Sequence, residues 1–388
     1  MGRRICAFTG SRAEYGLLKP LLEEIRQEPA LELKLLLAGT HLSREFGLTY
    51  RIVEEDGFTC DEKVEMILSS DTPVAVCKSM GLGMIGFSEA LMRIKPDLVV
   101  ILGDRFESMV AAISAYVCRI PIAHIQGGEL TLGAIDDQFR HSITKMSMLH
   151  FVCAEEYRRR VIQLGEQPDR VFDFGALNVD AMKKIPVIPR AQLEKEIKFS
   201  LSPRSLLVTF HPVTLEDDTA KDQLPQLLEA ISSFDNLKVI FTKTNADTEG
   251  RVINELIDEY VEANPQNTVA FTSMGQMHYI NVLRYADAVA GNSSSGVIET
   301  PTFKVPTVNM GEREKGRIIA DNVIDCEFDT ESIRSALQTA LSGQFKDSLK
   351  DMKSPYDKGE TAKNIARVLK EYPLPRTTKK EFYDIKSC

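Results

Sequence analysis

The stretch from Gln126 to His141, QGGELTLGAIDDQFRH, concentrates ionisable side chains in a short segment. It holds three carboxylates, one arginine and one histidine, at Glu129, Asp136, Asp137, Arg140 and His141. An apolar run over 120–125 precedes it and predicts a buried strand, and a helix is predicted to follow. So many ionisable groups at a strand end would be costly to desolvate without a use. The stretch therefore predicts the floor of an active site, where carboxylates can take and return protons.

Three other polar motifs also follow predicted strands. GSRAEYG supplies Arg12, GDR supplies Asp104 and Arg105, and HPVT is preceded by a strand and begins at His211. Ligands of parallel α/β sheets bind where the strands end, so these residues are candidate site residues. Each also has a simpler interpretation. An Asp–Arg pair is often a loop ion pair, and a lone histidine is more often structural than catalytic.

A small-residue loop, GNSSSGVIE over 291–299, lies between a predicted strand and a predicted helix. Backbone N–H groups and serine hydroxyls at a helix N-terminus bind anions, so the loop predicts a phosphate site. Glu299, one turn into that helix, would accept hydrogen bonds from ribose hydroxyls. The alternative is a glycine-rich turn with a serine cap. The binding candidates at the start of the loop are Gly291, Asn292, Ser293 and Ser294.

The motif GEREKGR over 311–317 follows the next predicted strand and adds Arg313 and Arg317. The planar guanidinium fork suits phosphate oxygens, although one or both arginines could be surface charge. A second glycine motif, GLGMIG over 81–86, has the GxGxxG spacing but lies inside a predicted helix. That spacing indicates dinucleotide binding only after a strand, so close helix packing is the better interpretation and NAD is not predicted.

Strand and helix patterns alternate along the chain, which predicts parallel α/β sheets with helices on both faces. A proline-containing segment over 183–202 predicts a linker, after which the alternation restarts and ends with a strand over 305–309. The predicted domains are residues 1–182 and residues 203–360, two similar α/β units with a nucleotide-sized ligand in a cleft between them.

Composition limits the classes of function. The 388 residues are 43% hydrophobic and carry a net charge of −9, which argues against a partner that is nucleic acid or an anionic membrane. The seven cysteines are scattered without a CxxC pair, which fits a reducing cytoplasm and offers no metal or disulfide framework. No apolar run approaches 18 residues, so no membrane-spanning segment is expected. No P-loop, serine-elbow or zinc signature is found, so no cofactor and no metal is expected.

Taken together, GSRAEYG, GTH, GDRFE, HIQGGELTLGAIDDQFRHSITKMS, FHPVT, GNSSSGVIE and GEREKGR resemble the UDP-N-acetylglucosamine 2-epimerase family over nearly the whole chain. The resemblance is nearer to its hydrolysing branch, which makes N-acetylmannosamine for sialic acid synthesis. It implies a GT-B fold of two Rossmann-like domains with the active site in the cleft, and a C-terminal segment, 361–388, that packs back on the first domain. It also implies elimination of UDP to a glycal, followed by hydration.

Carried over by motif, the resemblance implies catalytic roles for Asp104, Glu129, Asp136, Asp137 and His211. It implies that Arg12, Arg105, Ser293, Ser294, Glu299 and Arg317 hold UDP, and that Arg140 and His141 orient the sugar or the carboxylates. Several relatives carry glutamate where this chain has Gln126. A glutamine cannot act as a base, so that role either moves to another carboxylate or the position only orients substrate.

Four functions are weighed from the sequence. The first is the hydrolysing epimerase of UDP-N-acetylglucosamine, expected as a homodimer or homotetramer from the resemblance. The second is the same reaction on a UDP-2,4-diacetamido-trideoxyhexose for legionaminic acid. A GT-B glycosyltransferase would need an acceptor to release UDP. A nucleotide-sugar sensor without turnover fits the dense acidic cluster poorly.

Overall fold

The computed structural model describes residues 2–70, 72–131, 135–211, 220–243, 250–375 and 378–385. They form two compact units. The first unit contains the chain up to Leu130, the part that ends at Ala181, and the segment from Lys358 onward. The second contains Met182–Asp357, so the boundaries fall at 181/182 and 357/358.

The first unit is built on a seven-stranded parallel sheet with strand order β3-β2-β1-β4-β5-β6-β7. Its strands are β1 (Arg3–Thr9), β2 (Leu31–Ala38), β3 (Glu62–Val64), β4 (Leu98–Leu102), β5 (Ile122–Ile125), β6 (Leu149–Val152) and β7 (Val171–Asp173). Its helices are α1 (Arg12–Gln27), α2 (Tyr50–Glu55), α3 (Pro73–Ile94), α4 (Phe106–Val117), α5 (Ile135–Met146) and α6 (Glu155–Gln163), and α7 (Leu177–Lys184) crosses the unit boundary. Short 3-10 turns occupy Gly39–Leu42 and Pro168–Arg170.

The second unit is built on a six-stranded parallel sheet with strand order β10-β9-β8-β11-β12-β13. Its strands are β8 (Arg204–Thr209), β9 (Leu237–Thr242), β10 (Thr268–Phe271), β11 (Ala288–Gly291), β12 (Thr307–Met310) and β13 (Val323–Cys326). Its helices are α8 (Arg190–Ile197), α9 (Ala220–Ser232), α10 (Gly250–Ala263), α11 (Gly275–Tyr285), α12 (Ser295–Ile298), α13 (Thr300–Phe303), α14 (Thr330–Ala340) and α15 (Gly343–Ser348). The last helix, α16 (Thr361–Glu371), belongs to the first unit.

Strand alternation divides the first unit's core between the two faces of its sheet. Ile5 and Ala7 of β1 face a cluster that includes α1 and α16, whereas Cys6 and Phe8 face a cluster that includes α3 and α4. Both faces are therefore covered, as a parallel sheet requires. This confirms the predicted fold class of two Rossmann-like α/β domains.

Strand order places the candidate loops together within each unit. In the first sheet the order reverses between β1 and β4, and in the second between β8 and β11. Ligands of open α/β sheets bind beyond the carboxyl ends of strands at such a reversal. Gly10 and Gly103 follow the first pair of strands, and Phe210 and Asn292 follow the second pair.

Three sequence-based expectations differ from the structure. The predicted linker over 183–202 contains α8, which buries Leu193 and Ile197 and gives the segment a packing role. The strand over 305–309 is not the last, because β13 follows it. The strand β3 is likewise absent from the elements that the sequence predicts. Both missed strands lie at sheet edges and are short and partly polar, so they lack the apolar run that identifies a buried strand.

The described tail, 378–385, lies against the first unit. Lys380 donates hydrogen bonds of 2.6 Å to Glu166 and of 2.7 Å to the carbonyl of Ser147, and the N–H of Tyr383 donates to Gly165. Burial opposes ionisation of Glu166, but His150, Lys145 and Lys380 lower the pKa of its carboxyl to about 2. The tail is thus held at a buried ion cluster beside the end of α5.

Candidate functional site

A buried arginine organises the acidic cluster of the first unit. The Arg140 side chain is only 5% exposed, and its guanidinium forms an ion pair with Asp104. It lies 3.3 Å from Asp137 and donates a hydrogen bond of 2.9 Å to the carbonyl of Glu129. One cation therefore joins the loop after β4, the loop after β5 and α5. An arginine suits this task because its fork of N–H donors reaches several acceptors at once.

Local sequence explains how these groups meet. Asp104 follows Gly103, whose φ of +79° turns the chain out of β4. Asp137 and Arg140 are three residues apart on α5, so they share one face of the helix. His141 lies one turn from Asp137, with 3.5 Å between Nε2 and the nearer carboxylate oxygen. Burial lowers the pKa of His141 despite that carboxylate, which favours the neutral ring.

Asp136 differs from its neighbour Asp137. Burial and the nearby charge of Asp104 raise the pKa of Asp136, although Arg105 and Arg140 oppose the shift. Asp137 instead contacts Arg140 directly. Adjacent carboxyl groups with different electrostatic surroundings are a common basis for dividing acid and base roles.

Glu129 is buried, and the thiol of Cys153 donates a 3.1 Å hydrogen bond to its Oε1. Cys153 follows β6, the strand next to β5 in the sheet. The loop begins with Gln126 at a φ of +66°, where a side chain other than glycine is strained, and its N–H donates to Phe151. Gly128 has a φ of +82°, and a Cβ there would lie 2.5 Å from the carbonyl oxygen of Tyr157.

Two buried glutamates lie behind the loop after β1. Glu14 accepts a 2.7 Å hydrogen bond from the N–H of Gly10, and Glu107 forms an ion pair with Arg105 at 3.2 Å. Burial, with a smaller effect from the charge of Glu107, raises the pKa of Glu14 to about 7. Arg12 is the first residue of α1 and its side chain is exposed. Within the described residues, no hydrogen bond or ion pair joins Arg12 to the other predicted site residues.

In the second unit, His211 and Asn292 are joined by two hydrogen bonds. The N–H of His211 donates to the Asn292 side-chain oxygen, the Asn292 amide donates to the His211 carbonyl, and both distances are 2.7 Å. Gly291 precedes this pair with a φ of +144°, and a Cβ there would lie 1.8 Å from the carbonyl oxygen of Thr209. Only glycine fits this close approach of β11 to β8.

A buried glutamate organises the arginines of the second unit. Glu314 is 4% exposed, and its two oxygens lie 2.8 Å from Arg313 and 2.7 Å from Arg317. Arg313 also donates a 3.0 Å hydrogen bond to the carbonyl of Asn292, which ties the arginine motif to the small-residue loop. Glu314 therefore holds both arginines, and their side chains are 36% exposed at Arg313 and 15% exposed at Arg317.

The small-residue loop leads into less helix than the sequence predicts. Two four-residue helices, α12 and α13, follow it, and Glu299 lies between them instead of one turn inside a single helix. Glu299 accepts a 2.6 Å hydrogen bond from Ser295, whose hydroxyl lies 2.5 Å from that of Tyr279. Ser293 and Ser294 are half-buried in the turn before α12. A four-residue helix has a small dipole, so hydroxyl and N–H groups must supply most of any attraction for an anion.

The structure therefore collects ten of the predicted residues into two clusters, one in each unit. Asp104, Glu129, Asp137, Arg140 and His141 are connected in the first, and His211, Gly291, Asn292, Arg313 and Arg317 in the second. Sequence reasoning missed Glu314, Glu14, Glu107, Cys153, Ser295 and Tyr279. Most of these residues lie inside the recognised motifs, but the sequence of a motif does not show which of its charged residues is buried. Pro212 to Thr214, the rest of HPVT, lie outside the described residues.

Two features of the structure bear on other kinds of site. Within the described ranges, no group of three or more His, Cys, Asp or Glu side chains is arranged to hold a metal ion. One helix there, α3, is long and apolar enough to cross a membrane by length and composition alone. The expectation that no apolar run approaches 18 residues is thus wrong for this segment, where GLGMIG extends the apolar pattern.

The glycines of GLGMIG lie in the middle of α3, as predicted. A Cβ at Gly86 would lie 2.4 Å from Val64, and one at Gly83 would lie 2.9 Å from Met66. These contacts account for both glycines by close packing of the helix.

Comparison with known proteins adds to this geometry. The family model described as UDP-N-acetylglucosamine 2-epimerase matches residues 23–370. The chain belongs to this family. The predicted family is confirmed, including its hydrolysing branch.

Two relatives illustrate the range within the family. The chain is 41% identical to a Campylobacter jejuni GDP/UDP-N,N'-diacetylbacillosamine 2-epimerase (hydrolyzing), with 89% of each chain covered. It is 36% identical to the Escherichia coli polysialic acid biosynthesis protein P7, covering 100% of this chain and 98% of that protein. The crystal structure of Neisseria meningitidis UDP-GlcNAc 2-epimerase bound to UDP-GlcNAc has a TM-score of 0.81, 16% identity, and coverage of 94% and 99%. The last comparison supports the GT-B-like fold.

Proposed function

We propose that this hydrolysing UDP-sugar 2-epimerase acts on UDP-N,N'-diacetylbacillosamine, releasing UDP and the free 2-epimeric sugar. The Arg140 cluster is the observation that carries the reaction, because it holds Asp104 and Asp137 beside Asp136, a carboxyl group with a raised pKa. The relative at 41% identity supports the diacetamido sugar. UDP-N-acetylglucosamine, the substrate first expected from the sequence, becomes the second candidate and is supported by the polysialic acid relative.

The chemistry requires two proton transfers. A base removes the weakly acidic proton on C2, the C1–O bond breaks with its electron pair leaving on UDP, and a C1=C2 double bond forms. Water then adds hydroxyl to C1, and an acid delivers a proton to the opposite face of C2. The overall change consumes one water and inverts C2.

We assign the proton transfers to Asp136 and Glu129. Asp104 and Asp137 pair with Arg140, which gives them a positioning role. Asp136 has a raised pKa, so its carboxyl can change protonation state at a smaller cost near neutral pH. Glu129 is held by Cys153 and by the loop that Arg140 fixes. Gln126 orients substrate in this scheme.

We assign UDP binding to the motifs of the second unit, and the motif resemblance supports a UDP-binding role for Arg12 and for Arg105. Arg313 and Arg317 neutralise charge on the departing diphosphate, and Ser293 and Ser294 donate hydroxyl hydrogen bonds. Glu299 accepts from the ribose hydroxyls. His211, fixed through its backbone by Asn292, contacts the diphosphate or the glycosidic oxygen.

Incubation with each nucleotide sugar separately tests the reaction and the substrate. We expect NMR to show UDP release from UDP-N,N'-diacetylbacillosamine without an acceptor, at a kcat/KM at least about tenfold above that for UDP-N-acetylglucosamine. The GDP-linked sugar is a matched control for nucleotide recognition. Equal inertness to all three sugars would contradict the proposal, and UDP release only with an acceptor would indicate a glycosyltransferase.

The same reaction run in D2O tests the elimination step. We expect one deuterium at C2 of the product, because the original proton leaves and a solvent deuteron replaces it. Full retention of the original hydrogen would exclude the glycal route.

The proposed setting is the cytoplasm, supported by the free state of the six cysteines among the described residues. We further propose that the chain forms a homo-oligomer.

A further inference from the structure

We infer that Tyr279 and Ser295 are positioning residues that act through Glu299. Their hydroxyl groups form a directed series of hydrogen bonds that orients the Glu299 carboxylate toward the two ribose hydroxyls of the nucleotide. Recognition of ribose therefore depends on Tyr279, which lies outside the recognised motifs. This inference rests on the ribose contact that the proposed function gives to Glu299, and all three residues belong to the second unit.

Two short hydrogen bonds connect these side chains. The Tyr279 hydroxyl, on α11, lies 2.5 Å from the hydroxyl of Ser295, the first residue of α12. The Ser295 hydroxyl in turn donates a hydrogen bond of 2.6 Å to Oε2 of Glu299. Such short O–H···O distances are typical of hydrogen bonds that end on an ionised group. We call this pair of hydrogen bonds the hydroxyl relay.

The direction of the hydroxyl relay follows from the number of protons available. Ser295 has one hydroxyl proton and donates it to Glu299, so its oxygen must accept from Tyr279. Burial, together with the nearby charge of Glu299, raises the pKa of Tyr279, so the phenol keeps the proton that it donates. Tyr279 therefore fixes the rotation of the Ser295 hydroxyl, and Ser295 fixes the carboxylate.

The backbone around Glu299 gives its side chain little support. Glu299 follows the four-residue helix α12 and precedes the four-residue helix α13. The longer helix α11 is anchored differently, because it buries Ile280 and Leu283. A glutamate side chain has several rotatable bonds, and holding it in place before the ligand arrives lowers the entropy cost of binding. The hydroxyl relay supplies this support by tying Glu299 to α11.

The hydroxyl relay also borders the loop to which UDP binding is assigned. Tyr279 and Ser295 line a small cavity together with Gly291 and Ser293 of that loop. A carboxylate offers about four acceptor positions, so the hydrogen bond from Ser295 does not saturate Glu299. Glu299 can therefore accept from ribose hydroxyls while Ser295 holds it.

A pair of nucleotides tests the inference. UDP carries both ribose hydroxyls, and 2′,3′-dideoxy-UDP lacks them. We call the dissociation constant of the dideoxy nucleotide divided by that of UDP the ribose ratio. We expect calorimetric titration to give a ribose ratio of about 30 or more for the unmodified protein and about 3 for Glu299→Ala, because hydrogen bonds to a charged group are strong.

Removing the tyrosine hydroxyl should lower the ribose ratio selectively. Tyr279→Phe should weaken UDP binding about fivefold and change dideoxy-UDP binding less than about twofold. Retained binding of the dideoxy nucleotide also shows that the variant is folded. Tyr285→Phe is the matched control, because Tyr285 lies on the same helix and donates a 2.9 Å hydrogen bond to the carbonyl of Ile188. It should leave the ribose ratio within about twofold of the original.

A double variant tests whether Tyr279 acts through Ser295. Ser295→Ala should lower the ribose ratio about tenfold, since it removes the hydrogen bond to the carboxylate. Adding Tyr279→Phe to Ser295→Ala should lower it by less than about twofold more, because the connection is already broken. In turnover assays the single variants should raise KM and leave kcat within about twofold, since neither residue touches the reacting atoms.

The outcomes separate this inference from the proposed function. A ribose ratio that Glu299→Ala leaves unchanged would overturn the ribose contact and this inference with it. A ratio that falls in Glu299→Ala but stays the same in Tyr279→Phe and Ser295→Ala would overturn this inference alone. So would equal weakening of UDP and dideoxy-UDP by Tyr279→Phe, or additive effects in the double variant.

Discussion

The two units build their clusters in opposite ways. In the first, a buried arginine at the centre holds carboxylates around it, and in the second a buried glutamate at the centre holds arginines. Arg140 and Glu314 are almost equally hidden, at 5% and 4% exposure. The central residue positions the side chains around it. Those outer side chains determine which charge the cluster presents to a ligand.

This difference corresponds to two tasks in the proposed reaction. Proton transfer needs carboxyl groups at defined places, and Arg140 holds the segments that carry Glu129 and Asp136 without itself accepting a proton. Binding a diphosphate needs guanidinium groups at defined places, and a carboxylate fixes those. In each cluster, a buried residue of one charge therefore holds in place the groups of opposite charge that face the ligand.

Removing the central arginine should have the largest effect. Arg140→Met leaves Asp104 and Asp137 without their cation, so we expect about 3 kcal/mol less free energy of unfolding. We also expect turnover to fall at least about 10³-fold, because the carboxylates lose their positions. Denaturant titration and UDP release measure the two effects. Arg159→Met, which removes an exposed ion pair with Glu155, is the control and should cost less than about 1 kcal/mol.

Neutralising a single carboxyl group should distinguish the residue that transfers a proton from the residue that positions the cluster. Asp136→Asn should lower kcat about 10² to 10³-fold and leave the thermal midpoint nearly unchanged, since Asp136 has the proton-transfer role. Asp137→Asn should instead lower the thermal midpoint, because it breaks the pair with Arg140. Steady-state kinetics and calorimetry on both variants distinguish these roles. Equal kinetic and thermal effects in the two variants would remove the assigned division.

Glu14 is a further buried glutamate that sharpens the comparison, because no arginine contacts it directly within the described residues. Glu14 has a pKa of about 7 against an ordinary 4.5, so the folded state holds a proton that the unfolded state releases between those values. The free energy of unfolding should therefore fall as pH rises through this window, by about 3 kcal/mol at about 1.4 kcal/mol per pKa unit. Glu14→Gln should remove that contribution. Urea titrations at pH 5 and pH 8 measure it, and an unchanged slope in the variant would contradict the assignment.

Removing the central glutamate should have the smallest effect. Glu314→Gln keeps the shape of the side chain but weakens its hold on Arg313 and Arg317. We expect UDP to bind about tenfold more weakly, as measured by calorimetric titration, with kcat at saturation little changed. Glu312→Gln is the matched control, since Glu312 is in the same motif, is exposed and pairs with Lys315. Equal weakening by both substitutions would mean that Glu314 does not position the arginines.

The contrast between the clusters also shows what the sequence could predict. Strand-end motifs identified Asp104, Arg140, Asn292 and Arg317 because parallel sheets expose their carboxyl ends to ligands. Glu314 was not identified, since its role depends on burial and on two partners that no spacing rule reveals. Glu299 was misplaced because the turn between α12 and α13 depends on tertiary packing. Long helices and strands with a periodic apolar pattern were predictable, because that pattern is contained in the local sequence and does not depend on tertiary packing.

The return of α16 to the first unit has a consequence for biosynthesis. Ile365 and Leu369 fill the same core as Leu18 and Leu22 of α1, yet they follow the whole second unit along the chain. The second unit consists mainly of one continuous segment, Met182–Asp357, which leaves the ribosome before α16 does. The first unit, although its synthesis begins first, is therefore completed after the second unit. Until the last helix emerges, the nascent chain carries an uncovered apolar strip on α1, which is a surface for chaperones to occupy.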